Sequence, residues 1–515
     1  MMTALGGLGL FLLGMLLLTD GIKSLAGRAL RSILLRFVRG PATAIVSGAG
    51  LTALVQSSSA TTLTTIGFVS AGLITFPQAI GVVFGANIGT TSTGWIVSML
   101  GFKVSVGAAA LPMIFVGAML RLLAKGRMAH AGLTVAGFGL LFFGIDMLAE
   151  GMSGVSQRID PATMPGAGIG GRALLVGVGI VMTVLMQSSS AAMAVTLAAL
   201  HTGGIDIGQG AALVIGQNIG TTVTAAIAGV GGSTAAKRTA LAHILFNVIT
   251  GLVAFLLLPI FEWSVARWFE DHAGRADVSF LAAFHTCFNI VGVAILLPAF
   301  GPFTRLIERI IPERGSEFTR NLDPSVVHMG PVAIESARRS LDEILSVMLG
   351  RASDLIRHER SGTAKLVQLA DAKQALPKIG DFIADVTAAS SDPRIGRDQV
   401  ELVHAIDHLT ELAETLERLD DDPSLLRADS PASMLQMVEA LLARLGMPSD
   451  GSEEALASQI AQRRKELRAE LLEAAARHRI PADEVSALID TVRRLDAVCY
   501  HAVRARRHID ACGRT

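Results

Sequence analysis

Thr52–Leu63 reads TALVQSSSATTL, and Thr183–Ala194 reads TVLMQSSSAAMA. Each stretch sets one amide and three hydroxyls inside an apolar run. A polar group taken out of water costs roughly 2–7 kcal/mol unless it is hydrogen-bonded. A polar pentapeptide written twice into such surroundings therefore has a task, and the fold follows from how the two copies are related.

The copies belong to a larger duplication. Gly7–Gly21 (GLGLFLLGMLLLTDG) matches Gly137–Gly151 (GFGLLFFGIDMLAEG) at an offset of 130, and QSSSA recurs at an offset of 131. GANIGTT at Gly85–Thr91 recurs as GQNIGTT at Gly216–Thr222, again 131 residues on. Three matches in one order and at one spacing mark a duplicated unit.

The surroundings are those of a membrane. The chain has 515 residues with 17% charged and a mean hydropathy of +0.52, too apolar for an ordinary soluble protein. Residues 1–310 hold 10 acids and 17 bases, and residues 311–515 hold 34 acids and 27 bases, so a +7 half is joined to a −7 half. Apolar runs at 4–19, 104–120, 133–148, 241–261 and 280–300 have the lengths of membrane-spanning helices. The first is expected to be an anchor rather than a signal peptide, since no small-residue cleavage site follows it. Cys287, Cys499 and Cys512 have neither metal nor redox spacing, so a disulfide framework is not expected.

Lys and Arg favour the cytoplasmic side. Unit one has Lys23, Arg28, Arg31, Arg36 and Arg39 after its first run, expected as a basic loop. In unit two the first run is instead preceded by Arg121, Lys125 and Arg127. The two first spans then cross in opposite senses, and the units are expected to be inverted. The arm from Pro41 to Gln56 is 16 residues, about 24 Å of helix against a hydrocarbon core of about 30 Å. A re-entrant hairpin over 41–75 with QSSS near its tip is expected, followed by a span over 79–100 interrupted at Gly85–Gly89. Unit two repeats this with a hairpin over 172–204 and a broken span over 211–231. With the acidic loop 262–277 outside, 12 of the 17 bases in the first half fall on the cytoplasmic side.

Non-helical backbone at membrane depth occurs where it is buried in protein or lines a cavity. Inverted repeats with discontinuous helices are the architecture of secondary transporters: half-helix N-termini face anions, and freed carbonyls and hydroxyls bind cations. Two tips meeting from opposite faces would form one central site. Isolated serines in membrane helices are commonly packing residues, but the pairing of QSSS with G-x-N-I-G-T-T favours a site. Glycines 85, 89, 216 and 220 can be packing notches or backbone breaks, and the neighbouring Asn favours a break. The echo AHILFN (242–247) and AFHTCFN (283–289) places His243 and His285 as interhelical hydrogen-bond partners. Asp20 and Glu150 read as interfacial carboxylates. No Lys or Arg lies in the middle of the hairpins or broken spans, and carboxylates at mid-membrane are scarce. Neutral oxygens suit a hard cation, which points to cation-coupled anion transport with Na⁺ favoured over H⁺.

QSSSATT, GANIGTT, the second QSSSA and GQNIGTT resemble the sodium/phosphate cotransporter family of the type II kind, in its bacterial branch. The resemblance spans about residues 4–310. It implies sodium-coupled transport of inorganic phosphate by alternating access, with sodium as coupling ion and no other cofactor. The implied site is Gln56, Ser57, Ser58, Ser59 and Thr61 with Gln187, Ser188, Ser189 and Ser190; Asn87, Thr90, Thr91, Asn218, Thr221 and Thr222 lie nearby. The copies differ where Thr61 and Thr62 face Ala192 and Met193, so the halves cannot supply identical ligands.

The fold expected is all-α: a polytopic membrane domain over 1–310 and a soluble helical bundle over 331–515, joined by a linker at 311–330. Within the membrane domain, repeat one covers about 4–125, repeat two about 129–260, and an extra span 279–300. Apolar residues recur at three- and four-residue steps through the bundle, with breaks expected at 420–423, 447–451 and 480–481. LDPSVVHMGPVAIESARRSL resembles the entry to PhoU-type phosphate-regulatory domains, which implies a regulatory, cytoplasmic bundle. Asp381/Asp385 and Asp407/Glu411 could bind metal as in some such domains, but solvated helix faces suit them better. The expected setting is the inner (cytoplasmic) membrane, with phosphate, sodium and the lipid bilayer as partners and room for a homo-oligomer. Two other readings stay open: another oxyanion or a dicarboxylate as cargo, and a phosphate sensor signalling through the bundle. No nucleophile–base pair or metal cluster suggests an enzyme, and an acidic soluble domain does not suggest nucleic-acid binding.

Overall fold

The computed structural model describes residues 2–101, 107–156, 168–230, 232–272, 278–313, 316–357, 363–389, 392–421, 432–447, 451–477 and 479–512. Among them there is no strand, and the chain is all-α. It forms two compact units, one of residues 1–69 and 73–313, the other of residues 70–72 and 314–515.

In the first unit, α1 (Met2–Phe37) packs along α6 (Arg127–Ser156). Repeated glycines set this contact. A Cβ on Gly7 would lie 2.8 Å from the Gly144 carbonyl oxygen, and one on Gly14 would lie 2.8 Å from that of Gly137. The sequence numbers fall on one helix as they rise on the other, so the two run antiparallel. Equivalent glycines also exchange places across the contact: Gly7 and Gly14 match Gly137 and Gly144 in the repeat. Such notches let backbones meet closely, as membrane helices require.

α2 (Pro41–Val55) and α3 (Ser58–Ser70) flank the first QSSS, and α4 (Phe76–Ile96) follows, continued by a π turn over Val97–Gly101. α5 (Gly107–Leu123) leads to α6. α7 (Ile169–Met186) and α8 (Ser189–His201) flank the second QSSS, followed by α9 (Ile207–Gly220) and α10 (Thr222–Gly229). The start of α4 and the start of α9 are the same device. Thr75 accepts from the Gln78 amide while Gln78 accepts from the Thr75 amide, and Asp206 and Gln209 do likewise, a reciprocal capping box repeated at the 131-residue offset. α11 (Thr234–His272), α12 (Val278–Leu296) and α13 (Phe300–Ile310) complete the unit.

Three expectations change. α4 is not interrupted at Gly85–Gly89 but runs through. Its glycines are notches against α2: a Cβ on Gly85 would meet the Ile45 carbonyl oxygen at 1.9 Å, and one on Gly89 that of Ala49 at 2.4 Å. In the second unit of the repeat, Gly216 meets the Val176 oxygen at 2.0 Å in the same way, and the helix breaks only after Gly220. The expected basic loop after the first run is the last turns of α1, and of the acidic loop expected over 262–277, residues 262–272 are helix and 273–277 lie outside the described residues.

Among the described residues, seven helical segments are long and apolar enough to cross a membrane: Met2–Leu25, Phe76–Gly101, Arg127–Gly154, Ile169–Met186, Ile207–Gly229, Thr234–Trp268 and Val278–Leu296. α2, the apolar part of α5 (Ala109–Leu123) and α8 are shorter. α2 and α3 have 15 and 13 residues, about 22 and 20 Å at 1.5 Å per residue, so neither matches a hydrocarbon core of about 30 Å.

The second unit holds α14 (Gly330–Ile356), α15 (Thr363–Ala389), α16 (Pro393–Asp421), α17 (Ala432–Leu445), α18 (Ser452–Ala476) and α19 (Ala482–Ala511). Leu341, Leu345 and Met348 of α14, Leu402, Leu409 and Leu416 of α16, and Leu495, Ala502 and Ile509 of α19 are buried at helical spacing and face one another as a bundle core. The stretch expected as a plain linker carries short 3₁₀ turns at Glu317–Thr319 and Pro324–Val326, with Phe318, Asp323 and Val326 buried. Among the described residues no group of three or more His, Cys, Asp or Glu is placed to hold a metal, so Asp381/Asp385 and Asp407/Glu411 gather no further ligands.

Candidate functional site

Each QSSS breaks the chain between two helices in the same way. Gln56 and Gln187 have φ of +57° and +51°, the only non-glycine residues with positive φ among those described. This left-handed conformation is unfavourable for an L side chain, and a strained residue of this kind is a pointer to a functional constraint. It ends α2 and α7 and turns the chain into the next helix. Ser57 and Ser188 then cap α3 and α8, accepting from the amides of Ala60 and Ala191, both at 3.2 Å. An N-cap serine satisfies an amide that the helix cannot. The next two serines of each copy occupy the first turn of a helix, where amides point outward and the dipole is positive.

One residue joins the two copies. Thr93 of α4 donates to Gln56 Oε1 at 3.0 Å and lies 3.2 Å from the Ser190 hydroxyl. Gln56 Nε2 also donates to Ser92 Oγ at 2.9 Å and to the Ala53 carbonyl. Gln56 is thus fixed at both ends of its amide and buried, while Ser190 of the other copy stands two hydrogen bonds away. Ser58, Ser59 and Ser189, by contrast, have hydroxyls with no protein partner among the described residues.

The copies are not equal. Gln187 is exposed and bonds only back to the Val184 carbonyl, at 2.7 Å. The reason is legible at the repeat offset: Ser92 of the first unit corresponds to Val223, which has no hydroxyl. Likewise Thr52 donates to Thr61 at 2.9 Å, but Thr61 corresponds to Ala192, so Thr183 turns instead to the Gln217 carbonyl at 3.2 Å.

The remaining expected residues divide. Asn87, Thr90 and Thr91 bond back to carbonyls of their own helix, at 2.9, 2.8 and 2.7 Å. Thr221 and Thr222 bond back across the break to the Asn218 and Ile219 carbonyls of α9, at 2.6 and 2.8 Å. Asn218 instead reaches outward: it donates to Asn247 Oδ1 at 2.6 Å and lies 3.3 Å from His285 Nε2. This draws one element of each His-x-x-Phe-Asn echo onto the second G-x-N-I-G-T-T motif. His285 is an interhelical partner, as expected, whereas the His243 ring has no hydrogen-bond partner among the described residues. Three neutral oxygens, Thr62 Oγ1, Gln217 Oε1 and Asn289 Oδ1, are buried without a donor. Gln217 is held by its nitrogen, which donates to Thr196 Oγ1 at 2.7 Å and to the Ala192 carbonyl at 3.1 Å.

Sequence reasoning did not single out Thr93, Gln217 or Asn247. The signals were present: Thr93 has a repeat partner in Thr224, and Gln217 is the one residue by which GQNIGTT departs from GANIGTT. Chemically, the tips offer helix N-termini, uncommitted hydroxyls and neutral carbonyl oxygens. Every hydrogen-bond partner of their side chains is an amide, a hydroxyl or a carbonyl. Such a set can hold an anion by amides and hydroxyls and a hard cation by oxygens.

Comparison with known proteins finds relatives that share this region. A family model described as Na+/Pi-cotransporter matches residues 10–150 and 169–264, which include both tips. Uncharacterized protein YqeW of Bacillus subtilis (strain 168) is 33% identical over 315 residues, covering 59% of this chain and 96% of that protein. A protein of Escherichia coli (strain K12) named "Putative inorganic phosphate export protein YjbB" is 25% identical over 427 residues, 81% of this chain and 77% of that one. The Salmonella typhimurium protein of the same name is 26% identical over the same length. No solved structure matches. With the doubled motifs intact and the match running through both halves of the helical unit, the chain belongs to the Na+/Pi-cotransporter family.

Proposed function

We propose that the chain carries inorganic phosphate across a membrane together with sodium, by alternating exposure of one site built from both QSSS tips. The observation that carries this reading is Thr93, hydrogen-bonded to Gln56 of one tip and in contact with Ser190 of the other. A residue spanning both copies supports a single shared site rather than two.

Phosphate is recognised by the first-turn amides of α3 and α8 and by the hydroxyls of Ser58, Ser59 and Ser189. No Lys or Arg is among the tip contacts, so the anion's charge is balanced by helix N-termini and by co-bound cations. Sodium takes neutral oxygens, and Thr62 Oγ1 and Gln217 Oε1, buried without donors, are available to it. Alternating access follows from inverted repeats. The antiparallel α1/α6 pair, with equivalent glycines exchanged across it, supports inversion. The bundle of α14–α19 is read as a cytoplasmic, PhoU-type regulatory domain at the inner membrane. The relatives named for phosphate export support phosphate as cargo, and net direction then follows the gradients.

Counterflow tests this. Proteoliposomes preloaded with unlabelled phosphate should accumulate labelled phosphate in the presence of sodium. Sulfate or a dicarboxylate inside should not replace phosphate. Absence of counterflow with active reconstituted protein would remove the transport reading.

A further inference from the structure

The acidic half of the chain gathers cations at one place. A cavity of about 360 Å³ lies between α18 and α19, bordered by Arg464, Lys465 and Arg468 from the first helix and Arg493 from the second. Asp490 is the only acid on its wall, and Leu471, Ile489 and Val492 supply apolar surface. The volume is that of a small-molecule site.

The arrangement works against the helix that carries it. Arg464 and Arg468 are one turn apart, and like charges at that spacing destabilise a helix. The neighbouring acids on α18 do not relieve them. Glu466 and Glu470 pair with Arg463, and Glu473 pairs with Arg477. Arg464 reaches Asp496 at 2.8 Å and Arg493 reaches Asp490 at 3.1 Å, but Lys465 and Arg468 have no ion-pair partner among the described residues. Charge is thus sorted by face, and two free cations overhang a cavity in a half of the chain whose net charge is −7.

We infer that this cavity binds a phosphorylated ligand with an apolar body. Guanidinium forks and a lysine ammonium match phosphoryl oxygens, and the leucine, isoleucine and valine side chains match an attached base or acyl group. The inference stands apart from the transport site and does not depend on it. Two sources carry this chemistry, a free nucleotide and a lipid phosphate headgroup.

The test uses the full-length protein in neutral detergent with trinitrophenyl-ATP as fluorescent probe, without sodium. The probe should bind in the micromolar range and weaken as salt is raised. ATP as the stronger competitor assigns the site to a nucleotide, and dihexanoyl phosphatidic acid as the stronger one assigns it to a lipid headgroup. Inorganic phosphate, without an apolar body, should compete at least tenfold more weakly than the better of the two. The double substitution Lys465→Gln with Arg468→Gln, at exposed positions without partners, should weaken the probe at least tenfold with an unchanged melting temperature, and Arg493→Gln alone should weaken it measurably. Absence of probe binding, binding untouched by both variants, or displacement by inorganic phosphate as readily as by ATP and the lipid would overturn the inference.

Discussion

Thr93 is the residue that links the two motifs. Its hydroxyl serves Gln56 and Ser190 together, whereas its repeat partner Thr224 bonds only the Thr221 carbonyl of its own helix, at 2.9 Å. Removing a hydroxyl that holds a buried amide costs about 1–3 kcal/mol. Thr93→Val should therefore raise the phosphate half-saturation of proteoliposome transport roughly tenfold, and Thr224→Val should leave it near normal. The QSSS copies were legible in the sequence because their composition clashes with their surroundings. Thr93 was not, since it ends the run Thr90-Thr91-Ser92-Thr93, and composition does not tell which hydroxyl of such a run reaches beyond its own helix. A second residue-scale test lies in the bundle. His408 of α16 and His501 of α19 stand 3.2 Å apart, Nδ1 to Nδ1, and His508 pairs with Glu401 at 2.7 Å. Burial pushes both His408 and His501 below the ordinary value. His501, His508 and Arg504 add to this at His408 and Asp407 opposes it, while Glu411 and Asp407 oppose it at His501. The fold therefore favours neutral imidazoles. Their stabilising contribution is complete above the unfolded value of about 6.5 and is lost as pH falls from there through the lowered folded values. The bundle should melt lower at pH 5.5 than at pH 7.5, and His408→Asn with His501→Asn should narrow that difference.

At the scale of elements, glycines decide how helices meet. Gly14 faces α6 so closely that a Cβ would lie 2.4 Å from the Leu141 nitrogen, while Gly9 on the same helix has nothing within 4 Å of that position. Gly14→Leu forces the α1/α6 pair apart, at a cost of about 1–3 kcal/mol or more from overpacking. It should lower the yield and melting temperature of the purified protein, and Gly9→Leu should change neither. The same chemistry explains where reading by sequence went astray. A glycine beside an asparagine suits a backbone break, yet Gly85 and Gly89 are notches for α2, and Asn87 is satisfied by the Val83 carbonyl one turn back. Composition does not separate the two uses, because both need the absence of a side chain. The turn at the first QSSS was foreseeable from helix length, whereas α7 before the second is long enough to cross a membrane, against the short hairpin arm expected there; the matched capping boxes at Thr75 and Asp206 were readable at the repeat offset. In the bundle, three- and four-residue periodicity placed the helices well: the breaks at 447–451 and 480–481 fall between α17, α18 and α19, and of the break expected at 420–423, residues 420 and 421 end α16 and the rest lies outside the described residues.

At the scale of the whole molecule, the proposed transport site draws on two halves expected to be oppositely oriented. The topology carries its own test. A cysteine replacing Asp277 should react with an impermeant reagent from outside, and one replacing Gly126 should react only from inside. The central claim is tested most directly by Ser58→Ala and Ser189→Ala, the first-turn hydroxyls of the two tips. They lie 131 residues apart in sequence, and neither hydroxyl has a protein partner among the described residues, so truncation orphans no described donor or acceptor. A hydroxyl bonded to a charged ligand is worth about 1.5–3 kcal/mol, and one used only for helix packing in a membrane about 0.6 kcal/mol. The measurement is the half-saturation of labelled phosphate uptake for phosphate and for sodium, in proteoliposomes of each variant with wild-type yield. The account predicts that both substitutions raise these constants roughly tenfold to a hundredfold, and that choline with a pH gradient does not replace sodium. Two variants that transport with unchanged half-saturation for both ions would contradict it and leave the QSSS tips as structural turns.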